Sequence, residues 1–346
     1  MQESPQVFSL PTTTRASDAP FGAAGLHPQY RAIQQLMTMQ QLSPGDPLHM
    51  PLPVARCRSE RFYAFWNHRK PRLEAVYDTV VERRDGPVAL RIYRPRLQST
   101  APVLIYFHGG GFALNSINTH DRLMRLLALQ GNVTVCAVAY SLSPEKRYPC
   151  QLREALAVVE WLHDQPAGLG HKIEALALGG DSAGANLALA AALALKDSGR
   201  SWISRLLLFY GMFAPEFATL SHERYGSGYG LTTERMRWFW SHYLQNDGQR
   251  NDPYAAPMYA DLRGLPPVLL IAAGCDCLRD DSMRIADRLH AAGVPHQLSC
   301  YGGVLHSFMQ FSQSLDPARQ AIEEAASVLR ALGSYGTSQR EKECAL

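Results

Sequence analysis

The strongest constraint in this chain is a set of short apolar runs without polar alternation: PVLIYF (102 to 107), VTVCAVAY (133 to 140), IEALALGG (173 to 180), RLLLFY (205 to 210) and PVLLIAA (267 to 273). A strand that is apolar at every position must be covered on both faces, so these runs predict the inner strands of a sheet, with HQLSCY (296 to 301) as a further strand. Between them, Asp121 to Gln130, Gln151 to His163, Ala183 to Lys196, Asp280 to Ala292 and Pro317 to Leu332 have helical apolar spacing or helix-forming composition. Strands alternating with helices predict the α/β class, with a mostly parallel, doubly wound central sheet and helices on both faces. Upstream, VYDTVVERRDGPVALRIYRPR puts two β-rich runs around Asp85-Gly86, a hairpin signal at the start of the sheet.

Two stretches break this rhythm. Residues 1 to 75 hold a Pro/Thr/Ser-rich start, a predicted helix from Pro28 to Gln41, a proline-punctuated loop and the aromatic helical stretch Ser59 to His68. Residues 212 to 256 show no clear strand, but contain a glycine-rich loop and the aromatic helix Thr232 to Leu244. We expect the two to join as a helical cap over the C-terminal edge of the sheet. The chain then divides into an N-terminal cap segment (1–75), a first core part (76–211), a cap insertion (212–256), a second core part (257–335) and a polar tail (336–346). The competing reading of the insertion is a long connection whose helix packs Trp238 and Trp240 into the core.

Composition narrows the partners. Lys plus Arg number 34 against 31 Asp plus Glu, a net charge of +3, and the basic residues are scattered, so nucleic acid is not expected. No run approaches the roughly 18 consecutive apolar residues of a membrane span. The beginning, MQESPQVFSLPTTTRASDAP, lacks the basic start and apolar run of a secretory signal, so a soluble cytoplasmic protein is expected. Seven irregularly spaced cysteines (Cys57, Cys136, Cys150, Cys275, Cys277, Cys300 and Cys344) fit reduced thiols. Cys275 and Cys277 lack a second ligand pair at zinc-like spacing, and no metal is expected there.

Three motifs carry chemistry. Gly180-Asp181-Ser182-Ala183-Gly184 lies between the run IEALALG and an alanine-rich helix, a setting that would hold Ser182 on a sharp turn with its hydroxyl above the sheet edge. His108-Gly109-Gly110-Gly111 directly follows PVLIYF. Three glycines leave backbone N–H groups free to face a ligand oxygen, so Gly109, Gly110 and Gly111 can build an oxyanion hole with the N–H of Ala183. A serine nucleophile needs a base, and His306 stands in the loop after the last predicted strand. The carboxylate should follow the preceding strand, where Asp276 comes directly after PVLLIAAGC. The order Ser182, Asp276, His306 is that of α/β-hydrolases. Asp280 and Asp281 compete with Asp276 but sit where a helix N-terminus favours acids, and are expected to be caps. His108 is expected to brace its loop, and His120, His163, His171, His222 and His296 to be surface or capping residues.

These motifs, with THDRLMRLLA, AYSLSPEKRYP, AGCDCLRDD and LHSF in the same order, resemble the hormone-sensitive-lipase family of esterases, and within it the bacterial acetyl esterases, over residues 75 to 332. The resemblance implies an α/β-hydrolase fold, the triad Ser182, Asp276 and His306, the donors Gly110, Gly111 and Ala183, a helical cap and no cofactor. The implied reaction is hydrolysis of a small-molecule ester through an acyl-enzyme on Ser182. Acetyl to butyryl esters are expected, because Phe62, Tyr63, Phe65, Trp66, Trp238, Phe239 and Trp240 would crowd a long chain; the same rings could equally pack the cap onto the sheet. A longer-chain lipase, a peptidase on the same fold and a non-catalytic small-molecule-binding protein are the alternatives, and the oligomeric state stays open, a homodimer included.

Overall fold

The computed structural model describes residues 25–164 and 169–332; the Pro/Thr/Ser-rich start, the polar tail 336–346 and Cys344 lie outside the described residues. In chain order the elements are α1 (Gln29–Met39), α2 (Leu52–Trp66), β1 (Ala75–Val81), β2 (Val88–Arg94), β3 (Thr100–Phe107), α3 (Asp121–Gly131), β4 (Thr134–Ala139), α4 (Cys150–Asp164), β5 (Lys172–Asp181) and α5 (Ala183–Asp197). They continue with β6 (Ile203–Phe209), α6 (Leu220–Tyr225), α7 (Thr233–Tyr243), β7 (Val268–Cys275), α8 (Arg279–Ala291), β8 (His296–Leu305) and α9 (Asp316–Arg330).

The eight strands form one sheet in the order β1-β2-β4-β3-β5-β6-β7-β8. The hairpin β1–β2 and the β2–β4 pair are antiparallel and every other neighbour is parallel, as the buried runs predict. Strand alternation divides the core between the two faces. Val103, Ile105 and Phe107 of β3 point into the layer that holds α4, α5 and α8, whereas Leu104 and Tyr106 point into the layer that holds α3 and α9.

This topology also chooses the place for a site. From β3 the chain runs outward to β4 and then crosses back to β5 on the other side of β3, so the loops after β3 and β5 part above the sheet. In open α/β sheets the crevice at such a switch point is where ligands bind. HGGG leaves β3 there and Ser182 leaves β5 there.

Helix α2 starts seven residues before the expected Ser59, at Leu52, with Pro51 as its N-cap and Pro53 in its first turn. The first turn of a helix has no intrahelical acceptor for its N–H groups, so prolines that look like loop punctuation are compatible with a helix start. In the insertion Trp240 and Phe239 are buried in one core cluster with Trp238 packed against it, and Phe239 also lines a cavity. The six described cysteines are free thiols. Among the described residues no helix is long and apolar enough to cross a membrane.

Candidate active site

Ser182 stands at the bend between β5 and α5 with φ 54° and ψ −116°, a conformation disfavoured for a residue with a Cβ. The Ser182 N–H donates to Phe209 O at 2.9 Å, and its carbonyl accepts from Met212 N–H at 3.3 Å. So tight a bend needs small neighbours. A Cβ on Gly180 would lie 2.4 Å from the Gly184 carbonyl, and one on Gly184 would lie 1.9 Å from Phe107 O.

The bend brings Ser182 Oγ to 3.0 Å from His306 Nε2, and His306 Nδ1 lies 2.6 Å from Asp276 Oδ2. Asp276 is buried, and its other oxygen accepts from Leu278 N–H at 3.0 Å, which fixes the plane of the carboxylate. In this chain the imidazole can take the hydroxyl proton while the carboxylate sets its tautomer and orientation. Asp280 and Asp281 do lie in the first turn of α8, but neither side chain caps that helix, which corrects the expectation. Asp280 accepts from Ser221 N–H at 2.8 Å, and the buried Asp281 accepts from Phe213 N–H at 2.7 Å and Ala214 N–H at 3.3 Å, so both tie the insertion to the start of α8.

The N–H groups of Gly110, Gly111 and Ala183 have no acceptor among the described residues, and the two glycines line the same cavity as Ser182 and His306. Gly109 is removed from the expected donor set. Its N–H is already engaged, donating to Asp181 Oδ1 at 2.9 Å. Gly110 (φ +129°) and Gly111 (φ +61°) sit where a side chain is both strained and obstructed: a Cβ would lie 2.2 Å from Leu114 O or 2.0 Å from the Phe239 ring.

Beneath this loop lies a buried network that the sequence reading missed. The Asp181 carboxylate accepts from Tyr106 Oη at 2.9 Å and lies 3.2 Å from His120 Nε2. Burial alone would raise its pKa, but the charge and hydrogen bond of His120, the Tyr106 hydroxyl and the Gly109 N–H outweigh it and hold the carboxyl below its ordinary 3.8. His120 is therefore no surface residue. His171 and His222 are also buried, bonded to Thr134 and Thr233, because a partner hydroxyl makes an inward-facing imidazole tolerable. His108 stacks on Tyr140, and burial lowers its pKa to about 4, so it packs as a neutral ring.

A sequence profile of the family described as alpha/beta hydrolase fold matches residues 104–310. Similar solved structures include a hyperthermophilic esterase from the archaeon Pyrobaculum calidifontis, at 33% identity and TM-score 0.83, covering 89% of this chain and 99% of that one. The ester-hydrolase EH1AB1 from the metagenome of Lake Arreo, in complex with a derivative of bipyridine phosphonate, matches at 31% identity and TM-score 0.83, covering 88% and 98%. A thermostable esterase from Pseudomonas putida matches at 30% identity and TM-score 0.82, covering 90% and 98%. The chain belongs to the hormone-sensitive-lipase family of α/β-hydrolases.

In this hormone-sensitive-lipase-family hydrolase the groups described above open into a cavity of about 370 Å³. Its walls are mostly apolar and come from distant parts of the chain, Ile33 and Met37 of α1, Phe62 of α2, Leu231 and Phe239 of the insertion, and Phe311 after β8, with Gln34 and Arg235 as polar members. The expected aromatics therefore divide. Phe62, Tyr63 and Phe239 face the cavity, whereas Trp66 packs edge-on against Phe311 and Trp240 is buried with its ring edge-on to Tyr243.

Proposed function

We propose that the chain is a serine carboxylesterase that hydrolyses small-molecule esters with short acyl groups, acetyl to butyryl. The observation that carries the reaction class is the 3.0 Å approach of His306 Nε2 to Ser182 Oγ, beside three backbone amides without acceptors. The likeness to three proteins described as esterases or ester-hydrolases supports the same class.

In the first step Ser182 Oγ bonds to the ester carbonyl carbon as His306 Nε2 takes the hydroxyl proton. The carbonyl π pair moves onto oxygen, and the N–H groups of Gly110, Gly111 and Ala183 hold that oxyanion. Its collapse breaks the bond to the alcohol oxygen, which leaves with the proton from His306, and Ser182 remains acylated. Water, giving its proton to His306, then repeats the sequence; the acid departs and Oγ recovers its proton. Asp276 stays ionised throughout and stabilises the imidazolium.

The acyl preference follows from size. A cavity of about 370 Å³ is at the low end of the ~300–1,000 Å³ range of small-molecule pockets. Residues 25–75 and the segment 212–256 act in this reading as one cap, contributing Phe62 and Phe239 to the pocket wall. Each methylene that fits should add about 1 kcal/mol of binding, and the first that clashes should reverse the trend. Assays with p-nitrophenyl esters from acetyl to palmitoyl, below micelle formation, test this: kcat/KM is expected to peak between acetyl and butyryl. A maximum at decanoyl or longer would overturn the short-chain reading in favour of a lipase.

A further inference from the structure

The donors Gly110 and Gly111 lie in a loop whose backbone is strained, although Ala113 and Leu114 N–H both donate back to Gly110 O. Besides the two glycines, Phe112 (φ 61°) and Asn115 (φ 67°) occupy the left-handed region, which side chains rarely adopt and surroundings must enforce. Much of that enforcement reaches down from helix α2. Arg56 Nε donates to Ala113 O at 2.9 Å, the buried Ser59 Oγ donates to Asn115 Oδ1 at 2.5 Å, and Asn67 Nδ2 donates to Thr119 O at 2.8 Å. Arg56 and Ser59, three residues apart, share one face of the helix, and Asn67 is its C-cap.

The middle contact matters most for chemistry. Asn115, oriented by Ser59, donates from Nδ2 to the carbonyl of Gly109 at 3.2 Å, and His108 Nδ1 lies 2.9 Å from that same oxygen. The peptide unit joining Gly109 to Gly110 is planar and trans, so its C=O and the Gly110 N–H point in opposite directions along one rigid plate. Fixing the carbonyl on one side aims the N–H on the other. The Asp181 bond to Gly109 N–H pins the preceding peptide in the same way.

We propose that Ser59 and Asn115 form a relay by which cap helix α2 sets the direction of the Gly110 N–H, making both positioning residues for the oxyanion step. This rests on the reading of Gly110 as an oxyanion donor to an ester acylating Ser182. The N-terminal cap helix is then part of the apparatus that meets the transition state, and more than a cover for the pocket.

The test compares Asn115→Gly, which keeps a backbone suited to φ 67° and deletes the amide, with Ser59→Ala, Ser59→Thr and the exposed Cys57→Ser on the same helix. Each is assayed on p-nitrophenyl acetate and for inhibition by an alkyl trifluoromethyl ketone, whose adduct with serine carries the oxyanion. A misdirected donor should cost less than the roughly 100-fold of a deleted one, so Asn115→Gly is expected to lower kcat about 10-fold with KM within about twofold. Affinity for the ketone should fall by the same factor. Ser59→Ala should lose about threefold in both, Ser59→Thr should restore most of it, Cys57→Ser should match the parent, and the double variant Ser59→Ala/Asn115→Gly should be no worse than Asn115→Gly alone. Unchanged kcat in Asn115→Gly, or a kcat loss with unchanged ketone affinity, would overturn the relay. Ser182→Ala is run in parallel, and full activity there would instead remove the reading beneath it.

Discussion

The two segments that contribute cavity-lining residues from outside the sheet hold the site by different physics. The N-terminal helices use directional hydrogen bonds. Tyr30 Oη accepts from Leu305 N–H at 3.0 Å and His27 N–H donates to Gly303 O at 2.8 Å, both just before His306, while α2 grips the loop after β3. The insertion uses rings on that same loop, with Phe239 over Gly111 and Tyr243 stacked on Phe112 at 3.7 Å. It uses carboxylates on the acid loop, where Asp280 and Asp281 close onto it beside Asp276. The sheet positions Ser182, Asp276 and His306, and the loops after β3, β7 and β8 are steadied by segments far away in sequence: hydrogen bonds set direction, and rings limit the space in the cavity.

The contrast breaks most severely if the sheet groups are not the reacting ones. Ser182→Ala and His306→Ala should each lower kcat by about 10⁴-fold or more, and the double variant should be hardly worse than either, because the two act as a unit. Losses of less than about tenfold, or losses that multiply, would mean that the two segments hold some other chemistry.

A smaller effect separates direction from space. In Gly111→Ala the new Cβ would lie 2.0 Å from the Phe239 ring at φ +61°, so either the ring or the donor must move. We expect kcat/KM to fall about 100-fold, the scale of one lost oxyanion donor. Adding Phe239→Ala should return part of the loss by making room, while the part due to backbone strain stays. No recovery at all would show that the ring does not press on this loop, and the division between hydrogen bonds and rings would fail.

The smallest effect concerns the insertion's tie to the acid loop, and it is read by pH. Burial raises the Asp281 pKa from 3.8 to about 7, against the lowering influence of the Phe213 and Ala214 N–H groups. Between those values the folded protein keeps this proton and the unfolded chain has lost it, so unfolding releases a proton and stability falls as pH rises from about 4 to about 7. His108, lowered by burial from 6.5 to about 4, acts in the opposite sense: unfolding takes up a proton, and stability rises with pH in that window. Asp281→Asn removes only the first slope. Urea unfolding at several pH values between about 4.5 and about 6.5 should show the variant gaining on the parent by about 1 kcal/mol per pH unit. Parallel curves would mean that Asp281 is ionised in the folded protein.

Much of this was legible from local pattern. Continuous apolar runs announce strands buried on both faces, and glycines flanking Ser182 announce a bend that only small residues allow, because in both cases the cause lies within a few residues of the effect. The residues proposed to react, Ser182, Asp276 and His306, could be picked out for the same reason: each follows directly on a strand, and the structure brings the three within hydrogen-bond reach of one another. The supporting groups were not. Nothing near Ser59 or Tyr30 in the chain records that the partner of one is Asn115 and of the other Leu305. Gly109 was placed among the oxyanion donors because a glycine run looks uniform, and only Asp181 distinguishes its N–H from the next two. Asp181 itself lies inside the serine motif and could have been noticed as an acid in an otherwise apolar setting, which demands partners.

The most direct measurement is to treat the purified protein with diethyl p-nitrophenyl phosphate and locate the adduct by peptide mass spectrometry. The phosphoryl group should transfer to a single site, Ser182, with one equivalent of p-nitrophenol released and esterase activity lost in step, and Ser182→Ala should stay unlabelled. Labelling at another residue, or full loss of activity with Ser182 unmodified, would contradict the assignment of Ser182 as the nucleophile.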